Sequence, residues 1–171
     1  MTPEHYFFRY SYPCTEGRAL RDLIPSHLRD QLNEHARSDT APPRSMLVSA
    51  YTDAIDKIRR WMHVEGDAVW DMGVVRTYFR SIHNQTLDAG DIDPVFKEAL
   101  ARSGTLETFI GLCKVYETRV EDIQGDDILV SNPMGFGPPR IPVRNAYDLP
   151  VDAGSTITIH LGYAIELLTP N

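Results

Sequence analysis

The stretch AGSTITIHLGYAIE, residues 153–166, decides the fold class of this chain. It opens on the turn signal Ala153-Gly154 and continues into a β-branched run, Thr156–His160. A second apolar run, Tyr163–Leu168, follows closely. Because β-branched and aromatic residues fit the pleated, half-buried surface of a sheet, the stretch predicts two consecutive strands at these two runs.

Three further strand segments precede this pair. Cys113–Val120 is a predicted strand, Ile128–Val130 is a short apolar run, and Ile141–Val143 is typical of an edge strand because Pro142 cannot donate to a ladder. Connections rich in glycine and proline separate the runs. Five short strands with such turns predict a small closed barrel of the OB or SH3 type.

Upstream of residue 105 the apolar residues recur at helical spacing instead. The predicted helices cover residues 25–37, 44–63, 67–83 and 93–103. Asn84 is the predicted stop of the third helix, and the aromatic-rich residues 1–14 fit either a strand or a buried segment. We therefore predict an α+β protein with a helical N-terminal domain, residues 1–108, and a five-stranded β-barrel domain, residues 109–171.

Composition excludes several classes of protein. A net charge of −7 and a pI near 5.3 argue against a general nucleic-acid binder, whose affinity comes from Lys and Arg. No apolar run reaches the ~20 residues that span a bilayer, and the N-terminus has no signal-peptide pattern. We therefore expect a cytoplasmic protein that binds neither nucleic acid nor membrane. The two cysteines, Cys14 and Cys113, form no CxxC pair, which excludes a zinc ribbon.

Within the decisive stretch, the segment His160-Leu161-Gly162-Tyr163-Ala164-Ile165 resembles the signature of the HypC/HupF hydrogenase assembly chaperones. The run Lys114-Val115-Tyr116-Glu117 is similar to the first strand of that family, and Gly125–Val130 is similar to its next hairpin. The resemblance covers residues 110–168. It implies a small five-stranded barrel and, in function, a chaperone for hydrogenase maturation.

The resemblance also implies a metal site. In that family a Cys after the initiator Met and the His of the signature hold iron that carries cyanide and carbon monoxide, and the chaperone delivers it to the hydrogenase large subunit. His160 occupies the His position, whereas the Cys position falls near Thr108, which has no thiol. Cys113, next to the start of the first strand, is the candidate replacement, and Cys14, far upstream, is the other thiol that the fold could bring to His160, because a thiolate is a soft ligand. A hydrogen-bonded strand His and a buried, packed Cys are the alternatives.

Candidate partner-binding residues lie beside these ligands. Phe136 stands in the glycine- and proline-rich loop 132–139, where an aromatic side chain suits partner contact. Gly162 and Tyr163 follow His160 in the signature, with backbone geometry and packing as their alternatives. His83 is predicted at a helix end, where a His usually interacts with the helix dipole.

Three functional hypotheses remain open. The first is a non-enzymatic accessory or chaperone protein that binds a hydrogenase large-subunit precursor or a maturation protein and holds iron at His160 and Cys113. The second is an interaction module that keeps the barrel without the iron chemistry. The third is an enzyme with a Cys113–His160 dyad. The sequence lacks HExxH, GxSxG, P-loop and GxGxxG motifs, which disfavours the third.

Overall fold

The structure is a computed structural model, and it describes residues 1–19, 23–125 and 127–169. It is the predicted mixture of helix and sheet, with a helical N-terminal part and a five-stranded sheet at the C-terminus. The chain divides into two compact units, Met1–Ile82 and His83–Asn171. The predicted domain boundary, between residues 108 and 109, falls inside a helix, Leu106–Cys113.

The first unit is helical. Its helices are α1 (Pro3–Ser11), α2 (Thr15–Ala19), α3 (Ser26–Arg37), α4 (Arg44–Met62) and α5 (Met72–Thr77), with 3₁₀ turns at Tyr12–Cys14 and Gly66–Trp70 and a π-helical turn at Tyr78–Ile82. The aromatic run near the N-terminus forms α1, because the Thr2 side chain caps it and Pro3 opens it. Phe7 of this helix is fully buried, with edge contacts to the rings of Trp70 and Phe79.

Two of the predicted helices, α3 and α4, are confirmed to within one residue at each end. The predicted helix 67–83 is wrong as a single element. Asp71 accepts hydrogen bonds from the backbone N–H groups of Gly73 and Val74, so its side chain starts a new helix there. The predicted stop at Asn84 is also wrong, because this residue lies inside a later helix, His83–Asp88.

The second unit combines three helices with the sheet. Its elements are α6 (His83–Asp88), α7 (Pro94–Arg102), α8 (Leu106–Cys113), β1 (Val115–Gln124), β2 (Asp127–Ser131), β3 (Arg140–Arg144), β4 (Thr156–His160) and β5 (Tyr163–Thr169). Helix α7 starts and ends as predicted, whereas α8 was not predicted. Cys113 therefore ends a helix, and the first strand begins two residues later than expected.

Strand pairing in the sheet is mainly antiparallel. β1 pairs antiparallel with β2 and β4, β2 with β3, and β4 with β5. β5 meets β3 in parallel at one position, Arg144–Tyr163. The side chains inside the sheet are almost wholly buried, and they include Val120, Val130, Val143, Ile157 and Ala164. Within the described ranges, no helix combines the length and the apolar character that crossing a bilayer requires.

Candidate functional site

His160 lies at a tight hairpin between the last two strands. It ends β4, pairs with Val115 of β1 and with Tyr163 of β5, and is only 1% exposed. The two residues of the turn, Leu161 and Gly162, have φ of 48° and 79°. Two successive residues at positive φ are typical of the two-residue hairpin turn, in which glycine is favoured. The residues of the signature therefore form a tight hairpin, and the side chain of its His is buried.

A second histidine contacts His160. His83 is the first residue of α6, and its ring centre lies 5.3 Å from that of His160, edge to face at 78°. Its Nε2 lies 2.9 Å from the backbone oxygen of Cys113. Because a carbonyl oxygen only accepts, Nε2 of His83 carries the proton of this hydrogen bond. Sequence reasoning assigned His83 to a helix end and missed this contact.

Asn84, the next residue of α6, holds the start of the first strand. Its Oδ1 accepts from the Val115 N–H at 2.8 Å, and its Nδ2 donates to the Val115 oxygen at 2.7 Å. The amide thus satisfies both backbone groups of Val115, as a neighbouring strand would. The sequence offered one signal for this contact, an Asn inside a helical pattern. Asn favours helix caps and side-chain-to-backbone hydrogen bonds over helix interiors.

Cys113, the other predicted metal ligand, ends α8 and is 7% exposed. Val115, two residues after Cys113, is paired with His160, so the strand register brings the residues that follow Cys113 next to His160. In residues 1–19, 23–125 and 127–169, no three His, Cys, Asp or Glu side chains form a group that could hold a metal ion. His160 and Cys113 are therefore not part of such a group in these residues.

The loop that carries Phe136 is ordered by one side chain, Asn132. Its Nδ2 donates to the backbone oxygens of Phe136 at 2.7 Å and Pro138 at 2.6 Å. Its Oδ1 accepts from the Met134 N–H at 3.0 Å. These bonds hold the loop backbone at Phe136 and on both sides of it.

Phe136 itself is 39% exposed and packs on α8 at Gly111. A Cβ atom at Gly111 would lie 2.6 Å from Cε1 of the Phe136 ring, so the close approach requires glycine. Leu112, the next residue of α8, is 41% exposed. The loop and the helix therefore both present apolar side chains to solvent in this part of the second unit.

Tyr163 and Gly162 contact the third strand. Tyr163 is half-buried and pairs with Arg144, whose N–H donates to the Gly162 oxygen at 2.8 Å. The hairpin turn is thereby fixed against β3. Gly162 has an evident geometric role, and partner contact by these two residues stays a prediction.

Charged and titratable groups also border Cys113. The Lys114 ammonium lies 2.6 Å from a carboxylate oxygen of Asp88 in α6. The Tyr116 hydroxyl donates to the Gly111 oxygen at 3.0 Å, and burial raises the pKa of this phenol. Tyr116 therefore stays protonated at neutral pH and ties the start of β1 to α8.

Comparison of the chain with protein-family models, with curated proteins and with solved structures gives no match. The resemblance to the hydrogenase assembly chaperones rests on the residues of the chain itself, and it stays a hypothesis.

Proposed function

We propose that this protein is a non-enzymatic accessory protein in the maturation of NiFe-hydrogenases or a related metallocentre. In this proposal the second unit docks on a hydrogenase large-subunit precursor or on a maturation protein. The observation that carries the proposal is the hairpin at His160. The residues that resemble the chaperone signature form a tight turn with Gly162 at positive φ and the His buried inside the sheet.

The finer fold in this proposal is a small OB- or SH3-like barrel. The order of pairing, β1-β2-β3-β5-β4 and back to β1, supports it. The bridge at Arg144–Tyr163, reinforced by the Arg144 N–H to Gly162 bond, is the connection on which the ring depends. Because that connection lies at the turn after His160, the signature residues both form the hairpin and complete the pairing.

The proposed docking residue is Phe136. An aromatic side chain on a fixed loop costs little conformational entropy when it binds, and aromatic residues are enriched among the residues that dominate binding energy. Leu112 would extend the apolar contact. Gly162 and Tyr163 would contribute from the hairpin, with the exposed backbone of Gly162 open to the partner.

The test is anaerobic purification of the full chain with hydrogenase maturation proteins and the large-subunit precursor, followed by infrared spectroscopy for iron-bound cyanide and carbon monoxide. We expect at least one of these named proteins to co-purify. Phe136→Ala should weaken capture tenfold or more, as loss of a dominant contact does. Ile123→Ala is the matched control, because Ile123 is an equally exposed apolar residue, at 44%, on β1. Absence of every named partner would contradict the proposal.

The burial of His160 favours one alternative within this proposal. At 1% exposure, the imidazole meets a partner or an iron complex only after the surroundings move. A docking module without iron chemistry therefore remains the second candidate, and a partner that co-purifies without the infrared bands would identify it. An enzymatic Cys113–His160 dyad is the least supported, and the cytoplasmic location stays part of the proposal.

A further inference from the structure

We infer that the protein partner that docks at Phe136 is basic, with Lys and Arg side chains around an apolar contact. A basic partner rests on the docking part of the proposed function, whereas it is independent of whether that partner belongs to hydrogenase maturation. An uncovered apolar surface and the negative charge of the unit that bears it are the two observations behind it.

The apolar surface consists of helix α8 and the loop residue Phe136. α8 has the sequence LETFIGLC, and among its residues, all of which the structure describes, only Cys113 is buried. A helix of such apolar composition normally buries one side against a neighbour. Here Leu112 is exposed, and the exposed Phe136 ring packs on the preceding residue, Gly111. Loop and helix therefore form one surface that suits contact with an apolar part of a partner.

The net charge of the chain belongs to the unit that bears this surface. Residues 83–171 hold 13 Asp and Glu against 6 Lys and Arg, a net charge of −7, whereas residues 1–82 hold 11 of each kind and are neutral. Because like charges repel, this charge favours a basic partner over a second copy of the chain. It also disfavours nucleic acid and anionic membranes, whose phosphates carry the same sign.

Acidic side chains also lie at the edge of the surface itself. Glu107 is exposed on α8 and stands four residues before Gly111, a spacing at which two residues share one side of a helix. The Glu121 carboxylate accepts a hydrogen bond from the hydroxyl of Ser131, the residue just before the aromatic loop. Both ends of the surface, helix and loop, therefore have a carboxylate nearby.

Two neighbouring cations, Lys114 and Arg140, do not reverse the sign of this edge. Lys114, the residue after α8, is paired with Asp88, since its ammonium lies 2.6 Å from a carboxylate oxygen. Arg140 is exposed at the far end of the loop, and it stands against the carboxylates of both Glu107 and Glu121. A partner with Lys and Arg around its apolar contact is complementary to this arrangement.

The experiment measures binding of the full chain to two synthetic helical peptides that share one leucine stripe, with Lys at the remaining positions of one and Glu at those of the other. We expect saturable binding of the Lys peptide, and binding of the Glu peptide that is weaker by about tenfold or more. Phe136→Ala should weaken binding of the Lys peptide about tenfold, as loss of a dominant contact does, and Ile123→Ala should leave it unchanged.

Charge is tested separately from the apolar contact. Glu107→Gln should slow association of the Lys peptide about threefold, because an exposed carboxylate at the edge of a contact acts mainly on the association rate. Asp152→Asn is the matched control, since it removes the same charge at an exposed position in the turn before β4. Equal rates for these two variants would show that no local charge of the surface is used.

A measurement on the wild type avoids dependence on the folding of the variants. In nuclear magnetic resonance spectra, the Lys peptide should shift the signals of Phe136 and Leu112 and leave those of Ile123 unchanged. No binding of the Lys peptide, equal affinity for both peptides, or a wild type that dimerises through Phe136 would overturn the inference. Capture of a maturation protein without preference for the Lys peptide would reject the basic partner alone, and the preference without capture would reject the hydrogenase role alone.

Discussion

Single residues decide how the second unit is held together, and Asn84 is the clearest case. Its side-chain amide makes two hydrogen bonds to Val115, which is 6% exposed. A helix interior normally places such an amide in solvent. Here the residue connects α6 to the first strand, so its identity reflects a contact that the local pattern did not predict.

Replacing Asn84 by Ala should therefore cost about 2 kcal/mol of unfolding free energy, because a buried N–H and a buried carbonyl of Val115 lose their partners. The measurement is urea-induced unfolding, followed by circular dichroism. Gln85→Ala, at an exposed position of the same helix, should change the free energy by less than about 0.5 kcal/mol. Equal stability of the two variants would disprove the role given to Asn84.

At this scale the sequence pointed to some residues of the candidate site and missed the contacts of others. His160 could be singled out because it stands in a short motif between two strand signals. His83 could not, because its contact joins residues far apart in the chain, and local spacing carries no information on such pairs. Cys113 was expected at a strand start and lies at a helix end, which changes the direction of its side chain.

A partly buried ion cluster joins α1 of the first unit to the turn after α3. Asp39, in the turn after α3, accepts from Arg9 Nε at 2.9 Å and from His5 Nε2 at 2.8 Å, both residues of α1. Arg9 is 7% exposed. Burial raises the pKa of the Asp39 carboxyl, but the hydrogen bonds from Arg9 and His5 outweigh it, so the pKa lies below the ordinary value of 3.8.

Asp39→Asn should consequently lower stability at pH 7 by on the order of 1 kcal/mol, since the partly exposed carboxylate is screened by solvent. Asn tolerates the positive φ of 47° at this position, so the backbone is unaffected. An Asp carboxyl whose pKa is lowered in the folded state stabilises the fold at pH values above its ordinary pKa. This contribution is lost as the pH falls through the lowered pKa. The difference between the two proteins should therefore vanish in acid.

Thermal unfolding of both proteins across the acid range measures this effect. Asp56→Asn is the control, because its carboxylate is 54% exposed and pairs with Arg59 on the helix surface. A stability difference for Asp39→Asn that is independent of pH would show that the carboxylate charge has no part in the contact.

The long periodic helices and the last strands were predicted well, whereas the transitions between elements were not. Helices α3 and α4 have continuous apolar stripes, and β4 is confirmed at both ends because its β-branched run is unambiguous. Helix α8 was missed because it is eight residues long and runs directly into a strand. Short apolar segments of this kind fit both the helical and the strand period, and only tertiary packing decides between helix and strand.

At the scale of the whole molecule, the two compact units divide the chain before α6. His83 and Asn84 therefore belong with the sheet that they contact. The predicted boundary at residues 108 and 109 followed the change in sequence character, which marks where strands begin. The compact units are defined by which helices and strands contact one another, and the amino-acid composition of a segment does not indicate those contacts.

A fragment of residues 83–171 should therefore fold cooperatively, whereas a fragment of residues 109–171 should be largely unfolded. The shorter fragment lacks the two bonds from Asn84 and the first three residues of α8, and small domains have little stability to lose. Heteronuclear nuclear magnetic resonance spectra of both fragments provide the comparison. A well-dispersed spectrum from the shorter fragment would mean that α6 and α7 are dispensable.

The central claim is that this chain docks on a hydrogenase maturation partner through Phe136. Its most direct test is the dissociation constant of the full chain for purified large-subunit precursor and for each maturation protein, measured for wild type, Phe136→Ala and Ile123→Ala. The account predicts saturable binding to one of these proteins, tenfold or more weaker for Phe136→Ala and unchanged for Ile123→Ala. No binding to any of them, or equal affinity of all three forms, would contradict it.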